Sequence, residues 1–360
     1  MRISEAFCTL LVCLVGVSVS ACSKDTSPAN GGDALLSAPL AEGQRGGAGY
    51  QRLEIPVSAS PTPITAMVWS PCYEQSTQAQ LGPYVVEGRP DCEIAGDRLP
   101  LIVISHGKGG SVLAHHDTAA ALAKAGFVVA AFNQPGDSFG DEKDANSLRI
   151  FHARPADASL VITYMLDAWP QRAKLDPRKV GVFGFSRGGY TALVLAGAAP
   201  SISAASARLC PRISLFATGL CRQFKDRRAA LAVQSDTRVK AAVVVDPLNF
   251  FEADGLKNVR IPIQLWASEL GGEGVALSHI QEIRRALAND PEFIVAGGAG
   301  HFAYLAPCPP KFKAEAPSLC NDPSGFDRTS WHQHMNSQVI RFFKSTLVDE
   351  DTSATLISNE

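Results

Sequence analysis

From Leu101 onward the chain repeats one pattern: a short, almost wholly apolar run, then a stretch whose apolar residues recur at helical spacing. The runs are Leu101 to Ser105, Phe127 to Phe132, Val180 to Phe185, Ala241 to Val245 and Ile263 to Trp266, with Glu292 to Ala296 as a further one. Runs this short and this uniformly apolar suit parallel strands covered on both faces. Helices are expected between them, over His115 to Lys124, Arg154 to Ala168, Gly188 to Ala198, Leu277 to Leu287 and Trp331 to Leu347. Strand and helix in alternation predict a doubly wound, mostly parallel α/β sheet. Upstream, Leu53 to Val57 and Ile64 to Trp69 read as antiparallel strands at a sheet edge. No internal repeat is visible.

Two regions depart from this rhythm. Residues 200–237 contain no clear strand, but hold Cys210, Cys221 and a short apolar face of Phe216, Leu220 and Phe224. The segment reads equally as an insertion over the sheet edge, a candidate lid, and as an ordinary long connection with a helix in it. At the start of the chain, Arg2 precedes an apolar run from Phe7 to Val19 and then small residues up to Cys22, the pattern of an export signal. That run is too short to span a bilayer comfortably. Residues 23–49 are rich in Gly, Ala, Ser and Asp and suit a flexible tether. The expected organisation is therefore a signal over residues 1–21, a tether over 22–49, one folded domain over 50–349 and a tail over 350–360.

The chain has 360 residues, of which 46% are hydrophobic and 19% charged, enough apolar material for a large core. A formal net charge of −2 creates no field that would gather nucleic acid or an anionic membrane surface, so no nucleic-acid partner is expected. Of nine cysteines, Cys8 and Cys13 lie in the leader and Cys22 at its end. The remainder, Cys72, Cys92, Cys210, Cys221, Cys308 and Cys320, form an even set suited to an oxidising compartment. Pairing sequence neighbours is one of several connectivities. None has C-x-x-C spacing, and the adjacent His115 and His116 point in different directions on a helix, so neither a metal nor a cofactor is expected.

The pattern G-x-S-x-G occurs twice, in Gly184-Phe185-Ser186-Arg187-Gly188 and in Gly136-Asp137-Ser138-Phe139-Gly140. A strained nucleophile turn needs a strand running in and a helix running out, to lift the Ser hydroxyl above the sheet. Ser186 has both neighbours. Ser138 follows Pro135 and precedes the polar run Asp141 to Asp144, so it reads as a loop residue. In such a turn, one oxyanion donor is the backbone N–H of the next residue, here Arg187, and the other comes from the loop after an earlier strand. Ser105-His106-Gly107-Lys108-Gly109-Gly110 is that loop; the Lys108 N–H is the expected donor and His106 the expected structural residue. The base should follow the last core strand, where Gly297-Gly298-Ala299-Gly300-His301-Phe302 places His301. His332 and His334 fall on the terminal helix, solvated or packed. Two acids end the right strands, Asp246 before Pro247 and Glu269 after Ser268. Either would orient the imidazole, and the other is then a loop anchor.

With those motifs, and Val245-Asp246-Pro247, the stretch from about residue 50 to 347 resembles the platelet-activating-factor acetylhydrolase-like and predicted dienelactone-hydrolase-like branch of the α/β hydrolases. The resemblance implies an α/β-hydrolase fold with an insertion after the nucleophile helix. It implies a carboxylic ester hydrolase with Ser186, Asp246 and His301 as catalytic residues, acting on a small-molecule ester or acyl substrate. The acetylhydrolases place the acid after the strand that follows the nucleophile's helix, which favours Asp246; dienelactone hydrolases place it one strand later, near Glu269, and use Cys where this chain has Ser. A serine peptidase or amidase on the same triad is the alternative, and a non-catalytic binding protein of the same fold a remote one. Val19-Ser20-Ala21-Cys22 resembles a bacterial lipobox, which implies an exported lipoprotein, periplasmic or anchored in the outer membrane through a lipid on Cys22, or else a secreted protein.

Overall fold

The computed structural model of the chain describes residues 46–58, 60–210, 219–225 and 233–348. The expected signal, Cys22, most of the tether, Phe216 and the C-terminal tail lie outside the described residues. Eleven strands are present among these: β1 (Gly47–Val57), β2 (Ser60–Cys72), β3 (Gln78–Leu81), β4 (Tyr84–Glu87), β5 (Arg89–Pro90), β6 (Leu99–Ser105), β7 (Val128–Phe132), β8 (Leu175–Phe185), β9 (Val239–Val245), β10 (Ile263–Ser268) and β11 (Glu292–Ala296). All but β3 and β4 join one nine-stranded sheet in the order β11-β10-β9-β8-β6-β7-β2-β1-β5. The strands from β6 onward pair in parallel, whereas β2 joins β7 and β1 antiparallel. The predicted edge hairpin is thus present.

The uniform apolarity of the central strands has a direct structural reason. Alternate residues face opposite sides of a strand, and both sides are covered. Leu101, Val103, Val180, Val182 and Val244 enter one core cluster, while Ile102, Ile104, Phe183, Val243 and Val245 enter the other. The second face is closed by α1 (His116–Lys124), the first by α2 (Arg149–Thr163), α3 (Arg187–Leu195), α4 (Ile202–Leu209), α5 (Leu220–Lys225), α6 (Ala253–Leu256) and α7 (Leu277–Ala286). Two short helices, α8 (Pro310–Glu315) and α9 (Pro317–Cys320), precede α10 (Arg328–Leu347), which joins α1 over the second face. This arrangement is the α/β-hydrolase fold.

Several boundaries differ from the sequence reading. Strand β1 begins at Gly47, because Gly47-Ala48-Gly49 is not tether: a Cβ on Gly49 would stand 2.9 Å from Cys92 Cβ, a closeness only glycine allows. Helix α2 starts at Arg149, earlier than expected, and its predicted end is a π-helical turn over Tyr164–Ala168. Helix α10 starts at Arg328, where the Asp327 carboxylate caps the free N–H groups of Thr329 and Ser330. The hairpin β3–β4 went unpredicted. Cysteines pair as sequence neighbours, Cys72 with Cys92, Cys210 with Cys221 and Cys308 with Cys320. In the 200–237 segment, α4 and α5 are joined by the Cys210–Cys221 bridge, and Phe224 is buried against Phe250. The described part of this segment is therefore mainly a packed extension of the helical layer.

Strand β7 lies on one side of β6 and β8 on the other, so the chain reverses its winding between β6 and β8. Loops at the carboxyl ends of strands flanking such a reversal part to leave a crevice. His106, in the loop after β6, is fully packed there: its Nδ1–H donates to the Gly107 carbonyl at 2.6 Å and its Nε2 accepts from the Gln134 N–H at 3.1 Å. Burial, with the nearby Arg154 charge, pushes its imidazole down to about 3. Burial pushes His115, packed on Phe183 and Phe185, down to about 4.

Both histidines stay neutral in the folded state at pH values where an unfolded histidine takes a proton. Stability is therefore full above the ordinary histidine pKa and is lost as pH falls below it, by about 1.4 kcal/mol per pH unit for each group. Replacing His115 with Phe should flatten the fall in urea-unfolding free energy between about pH 6 and pH 4.5 by that amount. A variant whose pH profile runs parallel to wild type would show that His115 does not contribute.

Candidate active site

Ser186 ends β8 and begins α3 with φ 56° and ψ −113°, a conformation costly for any residue with a side chain. Its neighbours make the turn tight. A Cβ on Gly184 would stand 2.1 Å from the Gly188 carbonyl oxygen, and one on Gly188 would stand 1.8 Å from that of Ser105. Hydrogen bonds hold the strained residue from both sides: the Ser186 N–H donates to Val245 O at 2.9 Å, and Ser186 O accepts from Leu248 N at 3.2 Å. Ser138, in the other copy of the motif, lies in a loop bridged to Gly110.

His301 follows β11 in a 3-10 turn, its N–H bonded to Gly271 O at 2.8 Å and its ring packed on Phe185 at 4.8 Å between centroids. Its Nε2 lies 3.1 Å from Ser186 Oγ and its Nδ1 lies 2.7 Å from Asp246 Oδ2. Asp246 is fully buried and can only accept, so the Nδ1–H donates to it and the Nε2 lone pair faces the Ser186 hydroxyl. Ser268 completes the carboxylate's shell: its N–H donates to Oδ1 at 2.8 Å and its Oγ–H to Oδ2 at 2.6 Å. That residue ends β10, the strand beside β9, and the sequence did not single it out. Of the two candidate acids, the structure brings Asp246 to the imidazole. Glu269 instead accepts from the Gly298 N–H at 2.7 Å and anchors the loop that carries His301.

Ser186 and His301 line a cavity of about 640 Å³ whose walls are mostly apolar, and Asp246 is buried behind His301. Gly107, Lys108, Gly109, Gly110 and Arg187 line it beside Ser186 and His301. Tyr84 comes from the unpredicted β3–β4 hairpin, and Phe312 and Leu319 from α8 and α9, while Leu209 is the contribution of the described part of the 200–237 segment. The Arg187 side chain turns inward, donating to Asp137 Oδ2 at 3.1 Å and to Ala145 O at 2.7 Å. Arg154, also unpredicted as a site residue, donates to the same Asp137 oxygen and to carbonyls of the β6 loop; both side chains of that pair are fully buried. Asp137, from the second copy of the motif, thus supports the site through Arg154 and Arg187, whereas Ser138 stays in the loop bridged to Gly110. Away from the cavity, His332 bridges the Asp117 carboxylate and Ala303 O, and His334 is exposed on α10. Among the described residues no group of three His, Cys, Asp or Glu side chains converges as metal ligands would.

Comparison with known proteins fits this architecture. No curated protein matches the chain. Among solved structures, the ferulic acid esterase from Streptomyces cinnamoneus aligns with TM-score 0.57 and 18% identity, covering 87% of this chain and 92% of that one. An esterase from Pyrobaculum calidifontis aligns with TM-score 0.46 and 16% identity over 82% and 85% of the two chains. One from Pyrococcus furiosus gives 0.46 and 13% over 83% and 93%. The first of these supports the fold and nothing finer. The sequence profile of the Hydrolase_4 family, serine aminopeptidase, S33, matches residues 97–305, a span that runs from β6 past His301. The chain belongs to that family of α/β hydrolases.

Proposed function

We propose that the protein is a serine-dependent carboxylic ester hydrolase, with Ser186 as nucleophile, His301 as base and Asp246 as the acid that orients it. The observation carrying this reading is the buried relay from Ser186 Oγ through both His301 nitrogens to Asp246, with Ser186 and His301 lining a mostly apolar cavity. As Ser186 Oγ adds to the ester carbonyl, its proton passes to His301 Nε2, and the ionised Asp246 stabilises the imidazolium. The backbone N–H groups of Lys108 and Arg187 receive the oxyanion. The imidazolium then gives its proton to the departing alkoxide oxygen, leaving an acyl group on Ser186, and water activated by the same imidazole releases the acid. The apolar walls favour a small-molecule ester with an apolar portion. Within the α/β hydrolases, the loop Ser105 to Gly110 and the position of Asp246 after β9 support the platelet-activating-factor acetylhydrolase-like branch.

A second reading has its own observation. The matched family is described as serine aminopeptidase, and two carboxylates, Glu273 and Glu315, line the cavity, where a substrate ammonium group would find them. The relay is the same for both reactions; the leaving group differs.

We also infer that the protein is exported and lipid-anchored through Cys22. The lipobox-like Val19-Ser20-Ala21-Cys22 motivates the anchor, and three disulfides support an oxidising compartment. Cys22→Ser should abolish incorporation of labelled palmitate and leave the disulfides intact; equal labelling of wild type and variant would remove the anchor.

On a short p-nitrophenyl ester, Ser186→Ala and His301→Ala should each lower kcat by about 10³-fold or more and Asp246→Asn by a comparable factor, with Glu269→Gln within about tenfold of wild type. The matching p-nitroanilide should turn over at least about 10²-fold more slowly than the ester. Full activity in Ser186→Ala would end the serine-hydrolase reading, and faster anilide cleavage would select the peptidase.

A further inference from the structure

The carbonyl of Gly107 is turned into the protein interior and meets three donors. His106 Nδ1 lies 2.6 Å away, Arg154 Nη2 3.1 Å and Gly110 N 3.3 Å. In a trans peptide the C=O and the next N–H point in opposite directions. Holding this carbonyl inward therefore turns the Lys108 N–H outward, to the cavity that Lys108 lines. The peptide is beside the nucleophile, since a Cβ on Gly107 would stand 3.3 Å from Ser186 Cβ.

Arg154 does more than meet one carbonyl. It reaches from α2 across the loop, donating also to His106 O at 2.8 Å, while its Nε donates to Asp137 Oδ2 at 2.9 Å. The same carboxylate oxygen accepts from Arg187 Nη1 at 3.1 Å. One buried carboxylate thus links the guanidinium that fixes the Lys108 peptide to the residue whose own N–H is the other oxyanion donor.

Resting on the ester-hydrolase reading above, we propose that Arg154 is the positioning residue of the oxyanion hole, locking the Gly107–Lys108 peptide so that the Lys108 N–H is aimed at the substrate oxyanion, with Asp137 coupling it to Arg187. Turned the other way, the peptide would present a carbonyl lone pair to the developing negative charge and leave a buried guanidinium short of an acceptor. Packing alone does not require an arginine here. Lysine has a single head group and cannot serve the two carbonyls and the carboxylate in this planar array.

The test compares Arg154→Met and Arg154→Lys with wild type. Loss of one oxyanion donor lowers kcat by about 10²-fold or more, so Arg154→Met should fall by about that factor while KM stays within about threefold. Arg154→Lys should lie between it and wild type. A trifluoromethyl ketone, whose carbonyl carbon is attacked by Ser186 Oγ as the proton passes to His301, places an oxyanion in the hole. Its affinity should fall by the same factor as kcat, whereas the matching secondary alcohol, which has no oxyanion, should bind as before. The acidic midpoint of the kcat/KM pH profile, which reports the base, should not move.

A purely structural role would instead lower the folded fraction and leave kcat per active site unchanged, and that result overturns the proposal. So does a loss shared equally by ketone and alcohol, or one that shifts the pH midpoint. Should the variants not fold, a crystal structure of the wild-type ketone adduct decides: the oxyanion on Lys108 N with Gly107 O still on Arg154 supports the proposal, and a Gly107 carbonyl facing the cavity refutes it. Ser186→Ala separates the two levels. If Ser186→Ala is active, the hydrolase reading fails; if it is inactive while Arg154→Met keeps wild-type kcat, the positioning role alone fails.

Discussion

The close backbone approach between the first turn of α3 and the end of β6 is the constraint on which the site depends. Gly188 lies so near the Ser105 carbonyl that no side chain fits, and Gly184 lies equally near Gly188. Only with those contacts can β8 turn directly into a helix while the β6 loop stays beside Ser186. The strained φ of Ser186, a cost of about 1–3 kcal/mol, is sustained by the ladder around it. Its N–H has Val245 O as acceptor, and its carbonyl has the N–H of Leu248. Parallel register between β8 and β9 brings Phe185 opposite Val245, so Ser186 and Asp246 leave the sheet at the same level. Strain at Ser186 is thus a consequence of how three strands end together.

The charges around this point are arranged asymmetrically. On the β6 side, one carboxylate, Asp137, faces two buried guanidiniums, Arg154 and Arg187. On the β9 side, Asp246 is buried with the hydroxyl and N–H of Ser268 and the His301 ring. An unpaired buried cation would be very unfavourable, but here the extra guanidinium charge is met by the carbonyls of His106, Gly107 and Ala145. Negative charge developing between the two sides is drawn to the cationic one, while positive charge on the imidazole is held at the anionic one. For the proposed reaction, a site arranged in this way favours the charge separation across a carbonyl that acyl transfer requires.

What could be read from the sequence divides along the range of the interactions. The turn at Ser186 was legible because strand, turn and helix are consecutive in the chain, and so were the central strands, whose two-faced burial leaves an unbroken apolar run. The choice between Asp246 and Glu269 was not legible from the residues themselves. Both end neighbouring parallel strands, and what separates them is Ser268, which pairs with one carboxylate from the adjacent strand. Asp137, Arg154 and Arg187 were invisible as a group, because their bonds span 17 and 50 positions and charged residues are ordinarily solvated. The β3–β4 hairpin was missed because its strands have only four residues each, too few for a clear alternation.

Those missed elements show that the cluster of Ser186, His301 and Asp246 and the wall of the cavity are built from different parts of the fold. Ser186 and Asp246 directly follow the core strands β8 and β9, and His301 is held beside them by the loop after β11. Much of the cavity wall comes from segments outside the strand-helix repeat, which lack a sheet to support them. The hairpin bearing Tyr84 lies within the Cys72–Cys92 loop, α8 and α9 within the Cys308–Cys320 loop, and Leu209 next to the Cys210–Cys221 bridge. Each bridge closes a loop of 11 to 20 positions, which limits the conformations open to a segment with little core of its own. The cysteines, whose even number and neighbour spacing suggested loop-stapling bridges, therefore shape the cavity as well as stabilise the fold. Changes in these loops can reshape the cavity without disturbing the contacts among Ser186, His301 and Asp246.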